Sequence, residues 1–137
     1  EPTAPKGSYQ LCVKSGNLLF LAGHLPQPVN GKLVVGKIGD SLTVEEGTQA
    51  AEYCGLNILA TLKQELGDLD RVKRIVKVVG FVNCDDTFTQ QPQVVNGASD
   101  FFGKVLGDRG VHARSAVGTN ALPLGVAVEI EAIVEVE

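Results

Sequence analysis

The stretch HARSAVG at residues 112–118 carries the residue best suited to chemistry, Arg114. The stretch is typical of a strand, and its alternation places Arg114 on the same face as the small residues Ala116 and Gly118. A guanidinium presents a planar fork of N–H donors that fits a carboxylate or a phosphate through two hydrogen bonds. Because a buried guanidinium without a counterion is strongly destabilising, Arg114 is expected to meet an anion.

The residue pattern leaves two sources of that anion open. Glu129 and Glu131 belong to the final predicted strand, VAVEIEAIVEVE at residues 126–137, and either could form a cross-strand ion pair with Arg114. Alternatively, an external small anion could bind in the space that the small residues leave. The pattern alone favours the internal ion pair.

Other chemistries find less support among the residues. His24 and His112 have no His or Cys at ligand spacing, so no metal site is predicted. Cys12, Cys54 and Cys84 fall in predicted strands or on the apolar stripe of a helix, where each is interpreted as a small buried hydrophobe. Their odd number and the lack of an export signal indicate reduced thiols, in the cytoplasm or another reducing intracellular compartment.

Composition limits the classes of partner. The chain has 137 residues, of which 44% are hydrophobic and 20% charged, and this predicts one globular domain over residues 1–137. The net charge of −4 and the absence of a dense basic tract argue against a nucleic-acid partner. No apolar run approaches the ~20 residues of a membrane span, so no membrane partner is expected.

Hydrophobic periodicity predicts the elements that must hold Arg114 in place. A capping box, with Thr43 as N-cap and Glu46 three residues on, begins a first helix that ends before Gly67. The remaining predicted elements are a hairpin at 9–23, a short strand within 29–40, a strand at 71–84 with Gly80 as a bulge, a second helix at 91–106, and strands at 111–119 and 126–137. This order predicts an α+β fold, with one mixed β-sheet and two helices packed on one face.

A family resemblance then changes the interpretation of Arg114. The segment ARSAVGTNALPLGVAVEIEAIV at 113–134 strongly resembles the signature of the Rid (YjgF-like) family of enamine/imine deaminases, also called the endoribonuclease L-PSP family. The segments at 8–26, 66–83 and 93–107 are similar to the opening, the segment after the first helix and the second helix of that family. The resemblance covers nearly the whole chain.

This resemblance implies a bacterial chorismate mutase-like fold and a homotrimer with its sites between subunits. It also implies the site residues: Arg114 would bind the substrate carboxylate, Glu129 would position or activate water, Tyr9 would border the site from the adjoining subunit, Gly23 would offer backbone contacts, and Asn96 would be the helix asparagine. Ala116 stands where the family has a Cys, so only its backbone carbonyl could hold a water there.

The activity implied is hydrolysis of a reactive 2-imino or enamine acid to a 2-keto acid and ammonia, without a cofactor because the imine is already electrophilic. Two alternatives stay open. The missing Cys at Ala116 favours a non-catalytic trimer that binds a small carboxylate as a regulator. The third is an endoribonuclease or translation inhibitor, against which the acidic balance and the lack of paired histidines and aromatic platforms argue.

Overall fold

The computed structural model describes residues 7–137, so residues 1–6 of the predicted domain lie outside the described residues. Within residues 7–137, five strands form one sheet and two long helices cover one side of it. The elements are β1 (Cys12–Ser15), β2 (Leu18–His24), α1 (Val44–Leu66), β3 (Val72–Asn83), α2 (Gln91–Leu106), β4 (Ala113–Thr119) and β5 (Val128–Val136). The predicted α+β class, mixed sheet and one-sided helix layer are confirmed.

The sheet is mixed, with strand order β1-β2-β5-β3-β4. The pair β3–β4 is parallel, connected through α2, whereas the other neighbouring strands pair antiparallel. β4 is therefore an edge strand that has α2 above it. This position leaves the residues of β4 accessible from the edge.

The core lies between the sheet and the helices. β5 shows the reason, because its residues alternate between buried positions such as Val128 and Ile130 and less buried positions such as Glu129 and Glu131. The opposite face of the sheet is not covered by any described helix, and it carries apolar side chains as well as acids. Val13, Phe20 and Val117 are exposed hydrophobic residues of the strands on this open face.

Both helices begin and end where the sequence predicts. Thr43 accepts from the backbone of Glu46, and the Glu46 carboxylate accepts from the backbone of Thr43, which completes the capping box. Gly67 ends α1 with φ 84°, a backbone conformation that side chains with a Cβ disfavour. The two boundaries of α1 are thus encoded locally.

Two expectations from the sequence are wrong. The segment 29–40 forms no strand but only isolated bridges, because Gly36 and Gly39 adopt positive φ values of 127° and 92° that interrupt an extended ladder. Gly80 is not a bulge, since its pairing with both neighbouring strands continues without a shift. Instead, a Cβ at Gly80 would come within 2.6 Å of the Val95 side chain, so glycine allows α2 to approach the sheet.

Candidate functional site

The face of β4 that bears Arg114 is turned toward α2. Arg114 pairs with Val78 of β3, which is fully buried beneath the helices, and residues paired across strands share a face. Ala116, two residues further on, pairs with Gly80 on the same face. The predicted alternation along residues 112–118 is therefore confirmed, with α2 as the element that this face meets.

The guanidinium of Arg114 is held by three neutral acceptors of α2. Its Nη1 donates to the Asn96 side-chain oxygen at 2.7 Å and to the Ser99 hydroxyl at 3.1 Å. Its Nη2 donates to the carbonyl of Pro92 at 3.3 Å. Among residues 7–137, no carboxylate lies within 4 Å of Arg114, and the ion pair found is Lys73 with Glu135. The half-buried cation is thus oriented but not neutralised.

The residue pattern favoured an ion pair between Arg114 and a glutamate of the last strand. This prediction is wrong, because Glu129 and Arg114 lie on opposite faces of the sheet. Glu129 pairs with Phe81 of β3, whereas Arg114 pairs with Val78, and the regular register places positions 78 and 81 on opposite faces. Glu131 pairs with Val79 and shares the face of Glu129. β3 also lies between the two strands concerned. No rotation of these side chains brings either acid to Arg114 within one chain.

Glu129 lies instead against Gly23 on the open face of the sheet. A Cβ at position 23 would come within 2.3 Å of the Glu129 Oε2, so the carboxylate can occupy this position only because residue 23 has no side chain. Gly23 falls in an irregularity of β2 between Leu21 and His24, and such bulges re-aim the chain beside functional groups. Burial raises the pKa of the half-buried Glu129 carboxyl, and the nearby Glu131 charge raises it further.

The structure thus places the predicted site residues in two groups. Arg114, Asn96 and Ala116 lie on or beneath α2 at one sheet edge, and Gly23 and Glu129 lie together on the open face. Tyr9 precedes β1, which forms the opposite edge of the sheet from β4, and its side chain is 46% exposed. A single chain therefore does not bring all six predicted residues together around one point.

Two residues that sequence reasoning missed complete the surroundings of Arg114. The Ser99 hydroxyl and the His112 Nε2 are hydrogen-bonded at 2.9 Å, and the His112 Nδ1–H donates to the Gly110 carbonyl at 2.6 Å. Burial lowers the pKa of His112, and the Arg114 charge lowers it further, against the opposing effect of the Gly110 carbonyl. The sequence feature that indicates His112 is the strand spacing, since His112 precedes Arg114 by two residues and so shares its face.

A groove of about 270 Å³ adjoins this group. It is lined by Ser99, Gly103, Gly110, Val111, His112 and Arg114. The groove offers one cation, one hydroxyl and one imidazole beside mostly apolar surface. This combination suits a small anion with an apolar remainder.

The thiols of Cys12 and Cys54 are not activated as nucleophiles. Burial and the neighbouring Glu65 raise the pKa of Cys12 to about 11, and burial raises the pKa of Cys54 well above its usual value. Both thiols therefore stay protonated, and a protonated thiol is a poor nucleophile. Within residues 7–137, no three His, Cys, Asp or Glu side chains are grouped to hold a metal ion. No helix in that part of the chain has the length and apolarity to cross a bilayer.

Comparison with known proteins identifies relatives over almost the whole chain. Residues 1–135 match the sequence profile of the family described as "YjgF/chorismate mutase-like, putative endoribonuclease". Protein TCP17 of Trypanosoma cruzi is 48% identical over 133 residues, which are 96% of this chain and 83% of the relative.

Solved structures agree. A protein of unknown function from Agrobacterium tumefaciens is 44% identical with a TM-score of 0.92, covering 94% of this chain and 82% of that one. RidA from an Antarctic Psychrobacter is 26% identical with a TM-score of 0.66, covering 98% and 94%. The chain is thus more similar to the Agrobacterium protein than to RidA.

Proposed function

This chain belongs to the Rid (YjgF-like) family, and on that premise we propose that it hydrolyses reactive 2-imino or enamine acids to 2-keto acids and ammonia. The substrate class is a small carboxylate whose C=N bond is adjacent to the acid. No cofactor is required, since a protonated imine is electrophilic enough to accept water directly.

The observation that supports this proposal is the state of Arg114. Its guanidinium is fixed by Asn96, Ser99 and the Pro92 carbonyl, and all three are neutral. A cation held in a half-buried position without a counterion attracts an anion from solution. Because a fixed guanidinium fork matches a carboxylate, the carboxylate of a 2-imino acid is the anion that we place there.

The reaction follows from the chemistry of the bound imine. Water adds through its oxygen to the C=N carbon, and the electrons of the C–N π bond pass to nitrogen, which takes a proton. The carbinolamine nitrogen then takes a second proton, returned by Glu129, and the C–N bond breaks to release ammonia while the hydroxyl loses its proton as the C=O bond forms. In our proposal Glu129 accepts the proton of the attacking water, and its raised pKa brings it nearer to the range in which a carboxylate acts as a base at neutral pH.

The separation of Arg114 and Glu129 leads us to propose a composite site between subunits. Because the two residues lie on opposite faces of one sheet, a single ligand can contact both only if a second copy of the chain supplies one of them. The open face of the sheet, with Val13, Phe20 and Val117 exposed, has the apolar character of a surface that packs against another copy. A homotrimer, with Tyr9 bordering the site from the adjoining subunit, satisfies this requirement.

Replacement of Arg114 tests the proposal. The imine is generated in situ from an amino acid by an amino-acid oxidase, and its clearance is followed as ammonia release in competition with semicarbazide trapping. Arg114→Ala is expected to abolish enzyme-dependent clearance while the oligomer, measured by light scattering, stays intact. Arg74→Gln is the matched control, because Arg74 is an exposed guanidinium whose one hydrogen bond among residues 7–137 is to the Val111 carbonyl. Clearance by Arg114→Ala at the wild-type rate would overturn the proposal.

A second candidate is a non-catalytic trimer that binds a small carboxylate as a regulator. Ala116 favours it, since this position on the helix face offers a methyl group rather than a thiol beside Arg114. Calorimetry with 2-ketobutyrate and the clearance assay separate the two functions, because a regulator binds without turnover.

The endoribonuclease activity named in the family description is disfavoured for this chain. The net charge is −4, and His24 is 4% exposed and hydrogen-bonded to Thr61, so it is not available to act with His112 as a second catalytic histidine. Salt-dependent binding of RNA at low micromolar protein would restore this candidate.

A further inference from the structure

The hydrogen bonds from Arg114 to Gly110 form a chain with one direction. A carbonyl oxygen only accepts, so the Nδ1 of His112, at 2.6 Å from the Gly110 oxygen, carries a proton. The neutral imidazole then has an unprotonated Nε2, which accepts from the Ser99 hydroxyl at 2.9 Å. A lone pair of that hydroxyl in turn accepts from the Arg114 Nη1 at 3.1 Å. Arg114 thus donates to Ser99, Ser99 donates to His112, and His112 donates to the Gly110 carbonyl.

This chain positions the guanidinium. Asn96 and Ser99 both accept from Nη1, and they lie three residues apart on the same face of α2. The Ser99 hydroxyl can offer its lone pair to Arg114 in a fixed direction because its O–H is directed into a hydrogen bond to the His112 Nε2. The imidazole is itself held by the Gly110 carbonyl and by edge-on packing against Phe102, with ring centroids 5.8 Å apart.

Protonation of His112 would change what the groove presents to an anion. The charged groups near the imidazole are Arg114 on β4 and Arg74 on β3, and no carboxylate within the described residues lies within 4 Å of it. A protonated Nε2 becomes a donor to Ser99, so the Ser99 hydroxyl hydrogen is released from the imidazole. The groove then holds one more positive charge and one more available donor.

We propose that Ser99 and His112 are positioning residues of the Arg114 anion site, and that the charge of His112 sets how strongly the site binds a carboxylate. The inference rests on the proposed binding of a carboxylate by Arg114. Because protonated His112 and a bound anion attract each other, acid conditions strengthen binding of the anion. By reciprocity, a bound anion raises the pKa of His112. The ligand class is a small 2-keto or 2-imino acid, which stays ionised over the range in which His112 titrates.

Calorimetry with 2-ketobutyrate between about pH 5.5 and pH 7.5 measures this coupling. The wild-type affinity is expected to rise about fivefold or more toward acid pH. His112→Gln keeps an acceptor for Ser99 but cannot be protonated, so its affinity for 2-ketobutyrate should lose the rise toward acid pH. Ser99→Ala should weaken binding at all pH values and reduce the rise. Equal pH dependence in wild type and His112→Gln would overturn the inference.

A ligand-free measurement keeps this test separate from the proposed function. Nitrogen-15 NMR of the imidazole reports its tautomer and its pKa, and the tautomer with hydrogen on Nδ1 is expected in the neutral form. Arg114→Gln should raise the pKa of His112, because a nearby positive charge is removed. An unchanged pKa of His112 in Arg114→Gln, or a hydrogen on Nε2 in the neutral form, would overturn the proposed hydrogen-bond chain. This holds even if the wild type bound no keto acid. If the NMR results are as expected but the wild type binds no 2-ketobutyrate, the proposed function is contradicted instead.

Discussion

The carboxylate of Glu129 lies over the bare Cα of Gly23, where a Cβ would come within 2.3 Å of its Oε2. The two residues come from neighbouring antiparallel strands at the irregularity of β2. Since the atoms that a Cβ would displace are the far end of a flexible side chain, a substitution here moves the carboxylate rather than the backbone.

Gly23→Ala is therefore expected to lower turnover without unfolding the protein. We propose Glu129 as the base, and displacement of a catalytic group by about 1 Å can cost about a hundredfold in rate, so we expect kcat in the imine assay to fall about tenfold or more while KM changes little. A double mutant with Glu129→Gln tests the cause. If Gly23→Ala acts through the carboxylate, the double mutant should be no slower than Glu129→Gln alone, whereas additive losses would contradict this assignment.

Asn96→Asp is expected to weaken the binding of small carboxylates. The substitution would place a charged oxygen where Asn96 now accepts from Arg114 at 2.7 Å, and so give the guanidinium an internal counterion. A charge-assisted hydrogen bond contributes about 1.5–3 kcal/mol, so affinity for 2-ketobutyrate should fall about tenfold or more in calorimetry. Asn96→Ala is the control that removes the acceptor without adding charge, and it should bind more tightly than Asn96→Asp. The reverse order would show that the charge of Arg114 does not bind the ligand.

Gly97→Ala is expected to destabilise the fold because α1 and α2 touch at this position. A Cβ at Gly97 would come within 2.0 Å of the Thr48 carbonyl oxygen, so the helices would have to separate. Overpacking of this kind costs about 1–3 kcal/mol, measurable by urea denaturation. Gly103→Ala in the same helix is the matched control, because its Cβ meets nothing within 4 Å, and it should stabilise by about 0.5–1 kcal/mol. Similar effects of the two substitutions would contradict this account of the helix contact.

Acid pH is expected to destabilise the protein through His24. This side chain is 4% exposed, its Nδ1–H donates to the Ala22 carbonyl, and its Nε2 accepts from Thr61, while burial lowers its pKa. The unfolded state then binds a proton more readily than the folded state, so the stability present above about pH 6.5 is lost as the pH falls below that value. Urea denaturation at about pH 7.5 and pH 5.5 is carried out in the His112→Gln, Glu129→Gln background, which removes the other histidine and the carboxyl whose pKa is raised toward this range. Equal free energies of unfolding at the two pH values would refute the prediction.

The sequence by itself determined the local elements of this protein. The capping box of Thr43 and Glu46, the glycine at 67 and the alternation around Arg114 each encode a boundary or a face through residues only a few positions apart, and all three are confirmed. The prediction of a strand within 29–40 was wrong. Residue alternation does not show whether a strand has a partner, and glycines at positive φ prevent a continuous ladder here.

Only the tertiary structure decided what Arg114 meets. The register that β3 forms with β4 on one side and β5 on the other sets Arg114 and Glu129 on opposite faces, and no local pattern specifies a pairing between strands so far apart in sequence. The approach of α2, permitted by Gly80, likewise brings Ser99 to both Arg114 and His112. A side chain's face is a property of its own strand, whereas its partners depend on how distant segments pack.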